Sequence, residues 1–329
     1  PPGGGGAFMG QHAAPWALAA TSDGRTLFVA STGTRAIARI DVAKAQIVRT
    51  YVSGGVVRGL DVASDGQLAA SLTDLDQVIL FDPDADRFAA QVPVGRSPAG
   101  VAFNATGERL FVANMASQDV SVIDVTRKTE LRRVPAGREP FTVRRAPGGA
   151  TIAVVSRRME LTRPEDLPYS VVTLLDSSSG DVRHVVRLAS CHMAESAAFT
   201  RDGAHLLVPA ILVRNRLPIL QVARGWVMSS VLAVIGVESG SVKLLPLSEP
   251  GEGFPDPSGI AVSRDGLRAY VASGGRDEVA EIDVPALLAA AEEADAGQMQ
   301  RLSWTRRYVP RRFAVGSNPR EVLLVGSRA

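Results

Sequence analysis

The feature that most constrains this chain is a motif that recurs at intervals of about forty residues. In its first copy Pro15 precedes an Asp23-Gly24 pair, and two short apolar runs follow, the second ending at Asp41. The Asp-Gly pair is typical of a tight hairpin, because aspartate bonds its own backbone and glycine adopts a positive φ. A fixed period of this length predicts a stack of small repeated units rather than one continuous core.

Six copies of the motif are recognisable, and a central pair of residues marks each one. These pairs are Asp23-Gly24, Asp65-Gly66, Thr106-Gly107, Gly148-Gly149, Asp202-Gly203 and Asp265-Gly266. Each copy has the pattern of four short strands, of which the first is small and apolar and the last is polar. A small sheet with two apolar faces must pack against its neighbours. The sequence therefore predicts an all-β fold, a β-propeller of four-stranded antiparallel blades.

The number of blades is a separate question. Six copies account for residues 12–316, and residues 1–11 form a glycine-rich segment that we interpret as a flexible leader. Residues 317–329 start with Asn318-Pro319, as another copy would. Because a blade without its remaining strands exposes a sheet edge, we expect a seven-bladed-type propeller with an incomplete last blade, in a chain that is a fragment. The alternative is a six-bladed ring with residues 317–329 as a tail.

Composition excludes several classes of function. The net charge of +2 implies neither nucleic acid nor an anionic membrane as a partner, and no apolar run is long enough to span a membrane. The single cysteine excludes an internal disulfide. The four arginines 306, 307, 311 and 312 are interpreted as a solvated strand rim. Without a signal peptide, the chain is either cytosolic or already processed.

Three insertions interrupt the repeat, at residues 157–168, 209–230 and 285–303. Function on repeat scaffolds usually depends on such insertions, because the strands are committed to packing. The first two follow the same strand of consecutive copies, so we expect them on one face and in contact. The third has the spacing of a short surface helix. The second is strongly apolar, and it is either a lid over the channel mouth or a docking surface for a partner.

The repeat pattern resembles the YVTN family of bacterial and archaeal seven-bladed propellers over nearly the whole chain. Residues 217–227, with Ser229-Ser230, resemble a loop in propeller modules that precede a di-haem cytochrome c peroxidase-like (MauG-type) domain. This resemblance implies a periplasmic or secreted protein whose propeller docks a redox or other protein domain in the same polypeptide. The partner-binding residues it implies are Arg214, Arg216, Leu217, Ile219, Gln221, Arg224 and Trp226. No Cys-x-x-Cys-His motif is present, so a haem c would belong to the parent protein.

A metal site is a weaker hypothesis. His12 and Cys191 hold matching positions before the first strands of the first and fifth copies, and His192 follows directly. With Glu195 they could face a shared cavity, where thiolate and imidazole groups suit zinc or copper. The interpretation we favour is that Cys191 is a small buried apolar residue, with no metal ion bound.

No catalytic constellation is evident, because the histidines are scattered and the paired carboxylates lie in turns. The first hypothesis is therefore a non-catalytic scaffold or binding module of an extracytoplasmic protein, whose parent is a candidate oxidoreductase. One alternative is a metal-dependent lyase, similar to the propeller enzymes that open lactone rings. Another is a ligand-binding or adhesion propeller with no redox partner.

Overall fold

The computed structural model describes residues 14–82, 85–160, 162–163, 166–213, 228–295 and 301–324. The chain divides into two compact units. Within the described residues, the first unit comprises 14–154 and 175–183, and the second comprises 155–174 and 184–324. Both units consist mainly of antiparallel sheets in which consecutive strands are neighbours.

The first unit contains three complete blades. Blade one consists of β1 (Pro15–Ala20), β2 (Thr26–Ser31), β3 (Ala36–Asp41) and β4 (Gln46–Val52). Blade two consists of β5 (Val57–Val62), β6 (Leu68–Leu72), β7 (Gln77–Asp82) and β8 (Arg87–Pro93). Blade three consists of β9 (Pro98–Phe103), β10 (Arg109–Asn114), β11 (Asp119–Asp124) and β12 (Thr129–Pro135). The division between the units passes through the sheet of blade four, formed by β13 (Pro140–Arg145), β14 (Thr151–Ser156), β15 (Tyr169–Asp176) and β16 (Val182–Ala189).

The second unit contains blades five and six. Blade five consists of β17 (Cys191–His192), β18 (Ala198–Phe199), β19 (His205–Val213), β20 (Met228–Gly236) and β21 (Val242–Pro246). Blade six consists of β22 (Pro257–Val262), β23 (Arg268–Ser273), β24 (Glu278–Asp283) and β25 (Arg311–Ala314). An α-helix, α1 (Val284–Glu293), and a 3₁₀ helix (Leu302–Arg307) lie between β24 and β25.

The Asp-Gly pairs occupy equivalent hairpins, as the repeat predicts. In blade one the Thr21 hydroxyl donates to Asp23 Oδ1 at 2.6 Å and accepts a bond from the Thr26 amide at 3.1 Å. The same pair of bonds is made by Thr200 with Asp202 and by Ser263 with Asp265. In each case the hydroxyl is the main cause that lowers the pKa of the aspartate. The glycine after each aspartate has a positive φ, 69° at Gly24.

The first strands of consecutive blades approach each other backbone to backbone. A Cβ atom added at Gly100 in β9 would lie 2.5 Å from the Phe141 carbonyl oxygen and 2.8 Å from the Val143 nitrogen in β13. Gly59 in β5 faces the Ala99 carbonyl oxygen in the same way. No side chain fits in these gaps, so the repeat needs glycine at these positions.

Hydroxyl groups join blade two to blade three and blade five to blade six. The Ser71 hydroxyl in β6 donates to the Ala99 carbonyl, and the Thr73 hydroxyl donates to the Pro98 carbonyl at 2.6 Å. In the second unit Ser230 in β20 donates to the Phe254 carbonyl before β22. These bonds supply partners for backbone carbonyl groups at or just before the start of each of these first strands.

The apolar cores lie between blades. In the first unit Phe103, Leu110 and Val112 of blade three pack with Ala69 and Leu80 of blade two, in a cluster of buried residues. In the second unit one cluster joins blade five to blade six and includes residues of α1 and the buried Tyr308. Burial between sheets is the arrangement expected of blades that cannot shield their own apolar faces.

The third insertion contains the helix that its spacing predicts. Asp283 caps α1, because its Oδ1 accepts a hydrogen bond from the Ala286 amide at 3.0 Å, and Pro285 lies in the first turn. Leu287 and Ala290 are buried in the core of the second unit. Among the residues described, no helix is both long enough and apolar enough to cross a membrane.

The fold has six blades, and the prediction of a seven-bladed-type propeller with an incomplete last blade is wrong. Within the described residues the last strand is β25, and residues 315–324 form no strand. Asn318 does repeat the positive φ that Ser97 and Glu139 have before Pro98 and Pro140, and residues 321–322 run beside Gly259 of β22. The motif therefore begins again, but a first strand becomes part of a sheet only when a second strand pairs with it.

Gly100→Ala tests the close approach of the first strands. We expect it to lower the free energy of unfolding by about 3 kcal/mol, because the new methyl group meets backbone atoms of β13 that have no room to move. The measurement is urea unfolding followed by circular dichroism.

Gly148→Ala is the matched control, because a Cβ atom there would meet nothing within 4 Å. Its effect should stay within about 1 kcal/mol in either direction. Equal destabilisation by the two substitutions would show that crowding between the first strands does not require glycine.

Candidate functional site

The first strand of blade five is broken. It consists of the two short pieces β17 and β18, both of which pair with β19. Residues 193–197 between them form no strand, and Met193 has a φ of 54°, close to the values of Ser97 and Glu139 just before the first strands of blades three and four. The break contains Glu195.

Four charged side chains of the second unit meet at this break and form the Glu195 cluster, which consists of Arg157, Glu195, Asp256 and Arg320. Arg157 Nη1 lies 3.4 Å from Glu195 Oε1, and Arg320 Nη1 lies 3.9 Å from Glu195 Oε2. Arg320 Nη1 also lies 2.9 Å from Asp256 Oδ2. Arg157 follows β14, Asp256 precedes β22 and Arg320 follows β25. The cluster therefore joins the ends of strands from three blades.

Burial governs the ionisation of Glu195. Its side chain is only 14% exposed, and loss of solvent raises the pKa of its carboxyl group, while the charges of Arg157 and Arg320 oppose that rise. The nearby Asp256 raises the pKa further. A buried carboxyl group between arginines is found both at functional sites and in structural ion networks.

Cys191 and His192, predicted as candidate metal ligands, are the two consecutive residues of β17. Cys191 is buried, and burial raises the pKa of its thiol to about 12. A thiol that is neutral at neutral pH is a poor metal ligand. Within the described part of the chain no group of three or more histidine, cysteine or acidic residues could hold a metal ion. The third predicted ligand, His12, lies outside the described residues, so the metal site stays a prediction.

The second insertion leaves the sheet at the end of an extended hairpin. Strands β19 and β20 have nine residues each, and they pair without interruption from His205 opposite Gly236 to Val213 opposite Met228. The insertion was predicted over residues 209–230, but its two ends continue β19 and β20, and its central part, residues 214–227, lies outside the described residues. It contains every predicted partner-binding residue: Arg214, Arg216, Leu217, Ile219, Gln221, Arg224 and Trp226.

Backbone hydrogen bonds connect the first insertion to the second. The Met193 amide donates to the Arg157 carbonyl at 2.8 Å, and the Ser190 amide donates to the Pro168 carbonyl at 2.6 Å. The Val213 amide in turn donates to the Ser190 carbonyl at 2.8 Å. Both ends of the first insertion are therefore held by the segment 190–193, which also holds the end of β19. The described ends of the two insertions therefore lie together, while the prediction that the insertions lie on one face and touch stays a prediction.

The four arginines of the predicted rim are all paired with carboxylates. Arg306 bonds to Glu249, Arg307 to Glu293, Arg311 to Glu281, and Arg312 to Glu249 and Glu278. The guanidinium group of Arg307 also lies over the Trp304 ring, 4.4 Å from its centroid. The interpretation as a solvated strand rim is therefore only partly right. Arg311 and Arg312 lie on β25, but Arg306 and Arg307 end the 3₁₀ helix, and the Arg312 side chain is only 13% exposed.

Comparison with known proteins gives a fold and no family. No protein-family model matches the chain, and no curated protein matches it. Among solved structures, hydrazine synthase from Kuenenia stuttgartiensis is similar, with a TM-score of 0.83 and 21% sequence identity over 95% of this chain and 90% of that chain. That neighbour is a β-propeller. The likeness is one of fold. The resemblance to the YVTN family and to propellers of MauG-type proteins stays a prediction.

Sequence reasoning identified part of the Glu195 cluster. Glu195 was grouped with Cys191 and His192, but its charged neighbours come from blades four and six and were missed. One signal was available: Asp256 and Arg320 flank the prolines that begin β22 and the last copy of the motif. The pairing of Arg157 with Glu195 had no signal, because it depends on the break in β17–β18.

Glu195→Gln tests the ionisation of the cluster. Because the pKa of Glu195 is raised above its ordinary value of 4.5 in the folded state, the folded protein binds this proton more tightly than the unfolded chain. Stability from this group is therefore present below pH 4.5 and is lost as pH rises through the folded pKa. We expect the glutamine variant to lack this loss, so that its stability relative to the native protein increases with rising pH in urea titrations.

The control is Glu238→Gln, which removes an exposed carboxyl group that forms no ion pair within the described residues. Its stability difference from the native protein should not change over the same pH range. If the stability difference between Glu195→Gln and the native protein were also independent of pH, the folded state would not raise the pKa of Glu195.

Proposed function

We propose that this chain is a non-catalytic β-propeller module that docks a second protein domain through the face formed by its first two insertions. One observation carries the proposal: segment 190–193 holds both ends of the first insertion and the end of β19 through backbone hydrogen bonds. These bonds fix the ends of the first insertion and the end of β19 relative to one another. That arrangement suits a binding surface.

The chemistry of the second insertion supports this proposal. Its sequence contains Leu217, Ile219, Leu220, Val222 and Trp226, interrupted by three arginines at 214, 216 and 224. Aromatic residues, aliphatic residues and arginine are the types enriched in protein interfaces. Soluble monomeric proteins seldom expose an apolar segment of this composition to solvent.

The proposed partner is a di-haem cytochrome c peroxidase-like domain in the same polypeptide, in a periplasmic or secreted protein. This identification rests on the resemblance of residues 217–227 to a loop of propeller modules in MauG-type proteins. The likeness to hydrazine synthase supports the propeller and adds nothing about the partner. In this proposal the haem groups and any redox chemistry belong to the partner domain.

The extended hairpin allows a clean test. Because Val213 and Met228 are directly opposite each other, an Asn-Gly pair replacing residues 214–227 would close the hairpin as a two-residue turn. We expect the shortened chain to keep its circular dichroism spectrum and its unfolding midpoint. Its affinity for a purified di-haem cytochrome c peroxidase domain, measured by calorimetry, should fall at least about tenfold, since the apolar contact area is lost.

Leu267→Gln is the control, because Leu267 is an exposed apolar residue at the opposite end of the strands in the same unit. It should bind the haem domain as the native chain does. Failure of the native chain to bind, or equal binding by the shortened chain, would contradict the proposed docking function.

A further inference from the structure

An open hollow of about 540 Å³ lies beside the first insertion. Its walls include Arg163, Asp166 and Leu167 from the insertion, Tyr169 at the start of β15 and Arg187 near the end of β16. The hollow is next to the bond between the Ser190 amide and the Pro168 carbonyl. It therefore belongs to the same face as the ends of the two insertions.

Arg187 is held in place by an aromatic ring. Its guanidinium carbon lies 4.7 Å from the centroid of the Tyr169 ring. Stacking covers the flat face of a guanidinium group and leaves its N–H edge available for hydrogen bonds. That edge matches the two oxygens of a carboxylate. Within the described residues Arg187 forms no ion pair, in contrast to the paired arginines of the rim.

Among the described residues that line the hollow, arginine is the more frequent charged residue. Arg163, like Arg187, forms no ion pair with any residue that the structure describes, although it lies near Asp166 in the chain. Two guanidinium groups thus face the hollow together with one carboxylate. Leu167, which is 52% exposed, adds an apolar wall. A ligand that complements these walls presents a carboxylate beside an apolar group.

We propose that this hollow receives an acidic side chain of the docked partner, a glutamate or aspartate next to an aliphatic residue, with Arg187 and Arg163 as its two anchors. This inference rests on the proposed docking function and names the chemistry that the partner presents there. The insertions supply apolar contact, and the hollow supplies charge recognition. Charge pairs of this type determine register and partner choice more than total contact area does.

The first test uses a small probe and does not involve the haem domain. An acetylated, amidated Glu-Glu-Leu tripeptide is titrated into the chain, with Gln-Gln-Leu as the neutral comparison, and binding is followed by NMR of the Tyr169 ring and the arginine Nε groups. We expect the acidic peptide to bind about tenfold more tightly, because its bonds to guanidinium groups are charge-assisted. Arg187→Gln should remove that preference, and Asp166→Asn should strengthen binding of the acidic peptide.

Two further variants separate stacking from charge. Arg187→Lys keeps the charge but loses the planar fork, so it should bind the acidic peptide more weakly than the native chain and more tightly than Arg187→Gln. Arg264→Gln removes an exposed arginine elsewhere in the second unit and should change nothing. Equal binding of the two peptides, or an Arg264→Gln effect as large as that of Arg187→Gln, would overturn the inference.

The second test uses the di-haem peroxidase domain as the ligand. If it binds the native chain, we expect Arg187→Gln and Arg163→Gln each to weaken binding about tenfold and to reduce its salt dependence. Normal binding by both variants, together with weak binding by the chain lacking 214–227, would overturn this inference and leave the proposed function intact. No binding by the native chain would contradict the proposed function, whatever the peptides do.

Discussion

Backbone contact between the first strands of consecutive blades is the constraint on which the rest of the structure depends. At Gly100 the gap to β13 is too small for even a methyl group, so the first strands contact without side chains between them. This contact leaves some amides and carbonyls of these strands without a strand partner. Side chains of neighbouring strands satisfy them, as Ser71 does for the Ala99 carbonyl and Asp61 does for the Phe103 amide.

Blade five shows what happens when this contact is interrupted. Residues 193–197 leave the strand, and the amide of Ile260 in β22 is bonded by the Ser196 hydroxyl at 3.3 Å. The neighbouring blade thus keeps a hydrogen-bond partner, although the strand beside it is broken. The interruption gives Glu195 room to reach Arg157 and Arg320. A local departure from the repeat therefore brings together charges from three blades without disturbing the cores between them.

The repeat could be read from the sequence because its signals are local. The hairpin at Asp23-Gly24 depends on a hydroxyl two residues earlier and on a glycine with positive φ, and both are visible in a short window. The helix α1 was predictable for the same reason, since its cap and its apolar spacing are local. The number of blades could not be predicted from local signals in the same way. Asn318-Pro319 has the local signs of a new copy, yet no strand follows β25 within the described residues.

The candidate site was only partly predictable, because its partners are distant in sequence. Nothing near Glu195 indicates that Arg157 and Arg320 approach it, and nothing near Arg187 indicates that it stacks on Tyr169. The insertions at 157–168 and 209–230 were visible as breaks in the period, so the face could be predicted while its chemistry could not.

The distribution of arginine pairing distinguishes the faces of the second unit. Arg306, Arg307, Arg311 and Arg312 each have a carboxylate partner, so their charge is neutralised where they lie. Arg163 and Arg187 have no such partner among the described residues, and one of them is ordered by an aromatic ring instead. A carboxylate of a partner would supply the counter-ion for such a cation. Because stacking already orders the arginine side chain, binding would cost little side-chain entropy. This difference is the physical reason to look for an acidic partner on the insertion face and not on the rim.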